Sequence, residues 1–550
     1  MATPFQVSDR FVHELIESPT FATAPGVPGH DAEWDDLSHD GDAAKAALAR
    51  EAIAELSPHL EHPDPSQRLT AHVLTEYAGY TIDAFEGNDH LRALAHAASP
   101  FRVLREIFEY VDHTDADAAA DAARRLETIG TPLHEYRQTL TLGLELGETV
   151  ARRQVESVLA QIERLAGPDS AWHLLEQDSP IPRVRSQAIE TARGEMAEFG
   201  RFLAERYLPK ARLEEGVGRE RYKRAARAFL GMEIEPEELY EWGWDEIDRL
   251  LVEMRSVAAE IDPSLDLAGV VERLETDERL AVDSPERLVD FVADRQRQAI
   301  EDLDGSHFDL ADEYRDLTVA IAPPGGALGA YSRQPSEDFS RPGGIYYSIG
   351  DQQTFPLYQE VSTAYHEGFP GHHLQIATAM EAKDRLSRAQ RILIWYSGCG
   401  EGWALYVERL MHELGYFDRP EWVFGMLASH LFRAARVVSD IGLHLGYEIP
   451  AGSPLFPGEQ WDFDRGTRFM SQVGLQPPEY AESEVARYLG WPGQAISYKI
   501  GEREILRLRD GELRRLGEGF DLKDFHARVL GSGEMGLELL GRVVAGEFDS

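Results

Sequence analysis

The sequence predicts a mainly α-helical protein, a large helical body carrying one small β-sheet beside a candidate metal-binding helix. Three observations predict it. Apolar residues recur at three- and four-residue spacing through most of the 550 residues. Prolines punctuate the chain where helices would start or stop. Only one stretch, 316–350, breaks into short β-like runs.

Taken in order, the helical period runs through 44–56, 68–85, 100–111, 115–129, 136–166 and 183–207. Pro63 and Pro65, Pro132, Pro168, and Pro180 with Pro182 mark the ends. The period continues through 225–231, 237–261 and 285–303. Strands are expected at 317–322, 327–332 and 345–349, separated by Pro323-Pro324-Gly325-Gly326 and Pro342-Gly343-Gly344. Helix returns at Phe355 and persists to about Leu445; a loop with Pro450, Pro454 and Pro457 follows, and helix resumes from Pro478. The expected organisation is an N-terminal helical region, 1–310, forming one wall of a cleft. A catalytic region, 311–550, carries the sheet, the metal helices and the C-terminal helices.

Composition narrows the function classes. Lys+Arg 55 against Asp+Glu 97 gives a net charge of −42, which repels phosphate backbones and anionic lipid. Nucleic acid and membrane surfaces are therefore not expected partners. Cys399 is the single cysteine, so an intramolecular disulfide and a zinc site built on several cysteines are both excluded. The first residues show no basic segment followed by an apolar run, and no stretch approaches 18 uncharged apolar residues. A cytoplasmic location is expected; the oligomeric state is left open.

The chemistry concentrates in Tyr365-His366-Glu367-Gly368-Phe369-Pro370-Gly371-His372-His373-Leu374-Gln375. In zinc peptidases with an H-E-x-x-H helix, two histidines one turn apart hold the metal and the glutamate takes a proton from water. Here proline stands at the fifth position. On a straight helix His366 and His372 differ by roughly 9 Å of rise, and His366 and His373 by about 10.5 Å, too far to share one ion. Gly368, Pro370 and Gly371 supply a remedy: a kink or two-residue bulge that shortens the span. The less demanding alternative is a helix cap with a hydrogen-bonded histidine pair.

A catalytic zinc usually keeps three protein ligands. Glu401, in Gly400-Glu401-Gly402-Trp403, stands 29 residues after His372, enough for a helix to end and another to return. Gly398, Gly400 and Gly402 would permit close backbone approach. Glu408, two turns beyond Glu401, suits a supporting contact to a ligand.

These strings, with 433–444 and 487–501, resemble the DUF885 family, which is itself similar to gluzincin metallopeptidases and distantly like the thimet-oligopeptidase and Taq-carboxypeptidase families. The resemblance implies a largely helical, single-cleft body with a small sheet beside the metal helix, holding one Zn per chain. It implies His366, His372 and Glu401 as ligands, with His373 as the alternative to His372, and Glu367 as general base. Tyr498 would hydrogen-bond the oxyanion.

Further candidates complete the expected site. Arg433, Arg436, Asp440 and His444 are closely spaced, and the last three share a helix face. Arg436 or Arg433 would hold a substrate carboxylate, and His444 would donate to the reacting carbonyl. Arg487 is a second candidate cation, and Pro492 opens a helix carrying Gln494 and Tyr498. Gly343–Ser348, with Tyr346, would be a sheet edge that pairs with an extended substrate. The expected function is a zinc-dependent hydrolase cleaving short peptides. The alternatives are hydrolysis of a non-peptide amide or ester, and a catalytically silent helical protein that binds metal or peptide.

Overall fold

The structure is a computed structural model and describes residues 2–16, 30–111, 115–168, 170–176, 180–322 and 329–549. Mainly helical, with two small sheets among the described residues, the chain forms two compact units. The first comprises 1–60, 74–224 and 486–492; the second comprises 61–73, 225–485 and 493–550.

The first unit is wholly helical among its described residues. Its core joins alanine-rich and branched apolar faces of the helices Ala116–Thr128, Gly130–Leu146, Arg152–Ala166 and Pro182–Phe202, including Tyr136, Phe199 and Tyr207. The predicted 136–166 helix is two helices. Gly147, with φ at +78°, takes the left-handed conformation that ends the first of them.

In the second unit, seven helices position the site: α1 (Pro236–Ile261), α2 (Pro285–Leu303), α3 (Glu360–Glu367), α4 (His372–Glu381), α5 (Ser397–Glu413), α6 (Pro420–Leu445) and α7 (Ser497–Leu516). α6 is the axis of the unit. It is buried on nearly every face from Trp422 to His444, as expected for a helix apolar all round. Pro236 and Pro420 each stand in the first turn of their helices, where the missing N–H costs nothing.

The boundary expected at 310 falls instead near 225. Residues 225–310 belong with the C-terminal half because α1 packs along α6: a Cβ on Gly243 would lie 2.8 Å from Val438. Tyr240 reinforces this contact, donating to the Glu448 carbonyl and accepting from Trp461 Nε1.

The strands are β1 (Ala281–Val282), β2 (Thr318–Ile321), β3 (Gly329–Arg333), β4 (Gly344–Ser348) and β5 (Phe355–Pro356). β1 and β5 form an antiparallel pair the sequence reading missed, two residues each. The other three form a sheet in the order β2-β4-β3, with β4 parallel to β2 and antiparallel to β3. The expected Pro323–Gly326 turn, and the start of the expected 327–332 strand, lie outside the described residues. β4 is the central strand, so the sheet edge assigned to Gly343–Ser348 is closed on both sides. β2 and β3 are the sheet's two edge strands among the described residues.

Candidate metal centre

The His366–His372 string does not form one bulged helix. α3 stops at Glu367, and α4 starts at His372, so Gly368–Gly371 is a complete break, with a cis Phe369–Pro370 bond. The chain doubles back over the end of α3: a Cβ on Gly371 would lie 2.0 Å from the His366 carbonyl oxygen. Only glycine fits there. Gln296 of α2 patches the severed ladder, accepting from Phe369 N at 2.6 Å and donating to the Ala364 carbonyl at 2.8 Å. Trp403 Nε1 of α5 donates to the Pro370 carbonyl at 3.0 Å. The break therefore rests on two side chains from distant helices.

Its result is that the two imidazoles meet, with ring centroids 4.9 Å apart and planes nearly perpendicular at 87°. Glu401 arrives from α5, which crosses α7 almost backbone to backbone. A Cβ on Gly402 would lie 2.5 Å from Gly501 Cα, so this glycine pair sets the depth at which Glu401 stands. Glu401 Oε2 lies 3.3 Å from His366 Nε2 and 3.5 Å from His372 Nε2. One donor atom from each of the three residues lies within 4.8 Å of the others.

The donor set fits zinc. Ligands about 2.0–2.1 Å from a tetrahedral ion stand about 3.3–3.4 Å from one another, and both carboxylate–imidazole separations fall at that spacing. Two neutral nitrogens and one carboxylate oxygen are also the donor types catalytic zinc takes. Glu408 Oε1 lies 2.8 Å from His366 Nδ1, and Ser362 Oγ donates to its other oxygen. An ionised carboxylate can only accept, so His366 carries its hydrogen on Nδ1 and turns Nε2 toward Glu401.

The charges are strongly coupled. Burial opposes a charged His366, but hydrogen bonds to Glu401 and Glu408 outweigh it and carry the imidazole up to about 10 in the metal-free protein. Burial likewise opposes ionised Glu401, yet His366 and His372 hold it well below the usual carboxylate range. Glu367 differs. Burial raises it, and the nearby histidines oppose that only in part.

His366, Glu367, His372 and Glu401 line a cavity of about 390 Å³. Ala330, Tyr331 and Ser332 of β3 form another part of its wall. Arg433 and Arg436 of α6 line it with Tyr498, in the first turn of α7, and Tyr480. Among the described residues none of those lining it falls within 1–310, the region expected to supply a wall.

Five expected site residues stand elsewhere. His373 points its Nε2 at the Tyr314 carbonyl, 2.9 Å away, and packs against Gly343, so adjacency on α4 sends it to the opposite side from His372. His444 lies two turns beyond Arg436, about 12 Å along the helix. It is fully buried, its Nε2 3.5 Å from Asp440 Oδ1, while Asp440 accepts from Gly493 N. That pair anchors the turn before α7. Gln494 is buried in the same turn, because α7 begins at Ser497 rather than Pro492. Tyr346, on the central strand, stacks on Tyr331 at 5.8 Å, and it is Tyr331 that lines the cavity. Arg487 belongs to the first unit.

Trp395, whose ring lies 5.7 Å from His372, Tyr480 and Gln296 were not among the expected site residues, and the strand expected at 327–332, found as β3, was not assigned to the site. None carries a local motif.

A family model described as "Bacterial protein of unknown function (DUF885)" matches residues 19–544. The chain belongs to this family. Among curated proteins none matches it. The chain is similar in fold to the crystal structure of "the putative lipoprotein from Colwellia psychrerythraea", with TM-score 0.84, 22% identity and full coverage of both chains. It is similar also to "a putative lipoprotein of unknown function" from Shewanella oneidensis, with TM-score 0.75 and 18% identity over 99% of this chain and 100% of that one. No helix among the described residues is long and apolar enough to cross a membrane.

Proposed function

We propose that this DUF885 member is a zinc-dependent metallopeptidase that cleaves short peptides. One observation carries the reading: a carboxylate oxygen stands at tetrahedral-ligand spacing from each of two imidazole nitrogens, with a second carboxylate, Glu367, beside them in one cavity. His366, His372 and Glu401 would hold the ion, which when bound polarises a carbonyl and acidifies water.

The chain's own groups supply the rest. Glu367 takes the proton of the attacking water and passes it to the leaving amine; its raised affinity for a proton suits both transfers. Tyr498 donates a hydrogen bond to the carbonyl oxygen as negative charge develops there. β3 offers an unpaired strand edge beside the cavity, to which an extended peptide can add by main-chain hydrogen bonds. Glu408 fixes the tautomer and orientation of His366.

The test combines metal analysis with turnover. Protein prepared without chelator is expected to hold one zinc per chain, and Glu367→Gln to keep that zinc while losing about 10²–10⁴-fold in kcat on short peptides. Zinc far below stoichiometry overturns the metal centre, whereas full turnover in Glu367→Gln overturns the base. Hydrolysis of amides or esters with no cleavage of peptides would move the same site to a different substrate class.

A further inference from the structure

Arg433 and Arg436 line the same cavity one helical turn apart, yet their surroundings differ. Arg436 is buried and donates from Nη2 to Glu484 Oε2 at 2.8 Å. Its guanidinium carbon stands 4.1 Å from the centre of the Phe432 ring and 4.8 Å from that of Tyr498. It is a neutralised, immobilised wall. Arg433 has no carboxylate within ion-pair distance among the described residues. Its Nη1 donates to Ser429 Oγ, while Nε is buried without an acceptor.

In a chain with 97 acidic residues against 55 basic ones, a half-buried guanidinium with no carboxylate in ion-pair contact among the described residues is conspicuous; Glu367 acts on it at longer range. Withdrawing a cation from water is costly unless an anion compensates it. With Nη1 tied back to Ser429 and Nε buried, Nη2 is the guanidinium nitrogen that remains to meet a carboxylate oxygen in the cavity. The Tyr498 ring, 5.7 Å from the guanidinium carbon, limits its swing.

We propose that Arg433 receives the free α-carboxylate of the substrate, so that the enzyme removes residues from the C-terminus of short peptides. This rests on the hydrolase reading above and narrows its substrate class. Arg433 then measures the distance from the chain end to the scissile bond, which sits between Glu367 and Tyr498. A cavity of about 390 Å³ is near the small end of ligand pockets, which suits a chain terminus rather than a long segment running through.

The experiment uses one short peptide in two forms, with a free C-terminal acid and with a C-terminal amide. Binding is measured by calorimetry on full-length Glu367→Gln protein, which needs no turnover, and kcat/KM is measured on the active protein. The acid is expected to bind at least about tenfold more tightly than the amide, reflecting a charge-assisted hydrogen bond. Adding Arg433→Gln should bring the two forms within about threefold, and Arg433→Lys should fall between, since an ammonium keeps the charge but not the planar guanidinium. Equal binding of acid and amide by protein with Arg433 intact overturns the proposal, as does failure of both to bind. An equal loss for both forms in Arg433→Gln would instead make Arg433 the electrostatic partner of Glu367. If the acid is preferred in binding but neither form is cleaved, the hydrolase reading fails while the carboxylate site stands.

Discussion

Two groups of buried ionisable side chains lie in the same compact unit and are joined by one residue. In the first, Glu246, Lys499, Glu502 and His430 satisfy one another. Lys499 Nζ sits 2.8 Å from Glu246 Oε1, also donates to Glu502, and lies 3.3 Å from His430 Nδ1. In the second, His366, His372, Glu367 and Glu401 face a cavity that Arg433 and Arg436 also line, but among the described residues neither arginine comes within ion-pair distance of Glu367 or Glu401. Glu408 joins them, with Oε1 2.8 Å from His366 and Oε2 3.5 Å from His430. By residue type alone the two groups are nearly interchangeable. What separates them is direct pairing: Lys499 sits in contact with the carboxylates of the first, whereas among the described residues no lysine or arginine pairs directly with the carboxylates of the second.

Removing Lys499 is the strongest way to test that contrast. Lys499→Met leaves Glu502 without its cation in the interior, while Glu246 keeps its two hydrogen bonds from Arg249, and breaking a buried ionic arrangement from one side costs about 3–5 kcal/mol. Urea unfolding should show this loss while zinc content stays at one per chain. A cost under about 1 kcal/mol would mean that the first group is not the structural one.

The joining residue comes next. Glu408→Gln can still touch both histidines but no longer holds His366 by a charge, and supporting carboxylates of this kind are worth about 10–100-fold in metal affinity. Zinc competition with a chelator measures it; unchanged affinity would uncouple the two groups.

The smallest effect is in pH. Because the folded protein raises His366 from 6.5 to about 10, its contribution is fully present below pH 6.5 and is lost as pH rises through 10. Chelator-stripped protein should therefore lose on the order of a few degrees of Tm across that window. Glu401 works in the opposite sense. Held below its ordinary value, it stabilises the protein above about pH 4.5 and the contribution disappears as pH falls. Zinc, taking the place of the His366 proton, should flatten the alkaline slope, and a slope identical with and without zinc would remove His366 from the metal set.

Much of the helix framework was legible because it rests on local signals: the 3.6-residue apolar period, proline at helix starts, and glycine at their ends. The predicted 237–261 and 285–303 helices fall within a residue of α1 and α2. His366, His372, Glu401 and Glu408 were legible because spacing and residue type suffice to nominate them. Their neighbours were not. Gln296 lies 68 residues before Ala364, and nothing in its own surroundings marks it as the patch on a broken helix. His444 looked equivalent to Arg436 by helical period, yet eight residues of rise carry it out of reach of the cavity.

The sequence by itself determined the helical class, the separate β island and the donor types gathered near residues 366–408, since backbone propensity and side-chain chemistry are local properties. Tertiary structure decided which histidine turned inward, which edge strand borders the cavity, where the two units divide, and which arginine has no carboxylate in ion-pair contact among the described residues. Those outcomes depend on which atoms from distant segments come within a few ångströms, a relation that no window of consecutive residues contains.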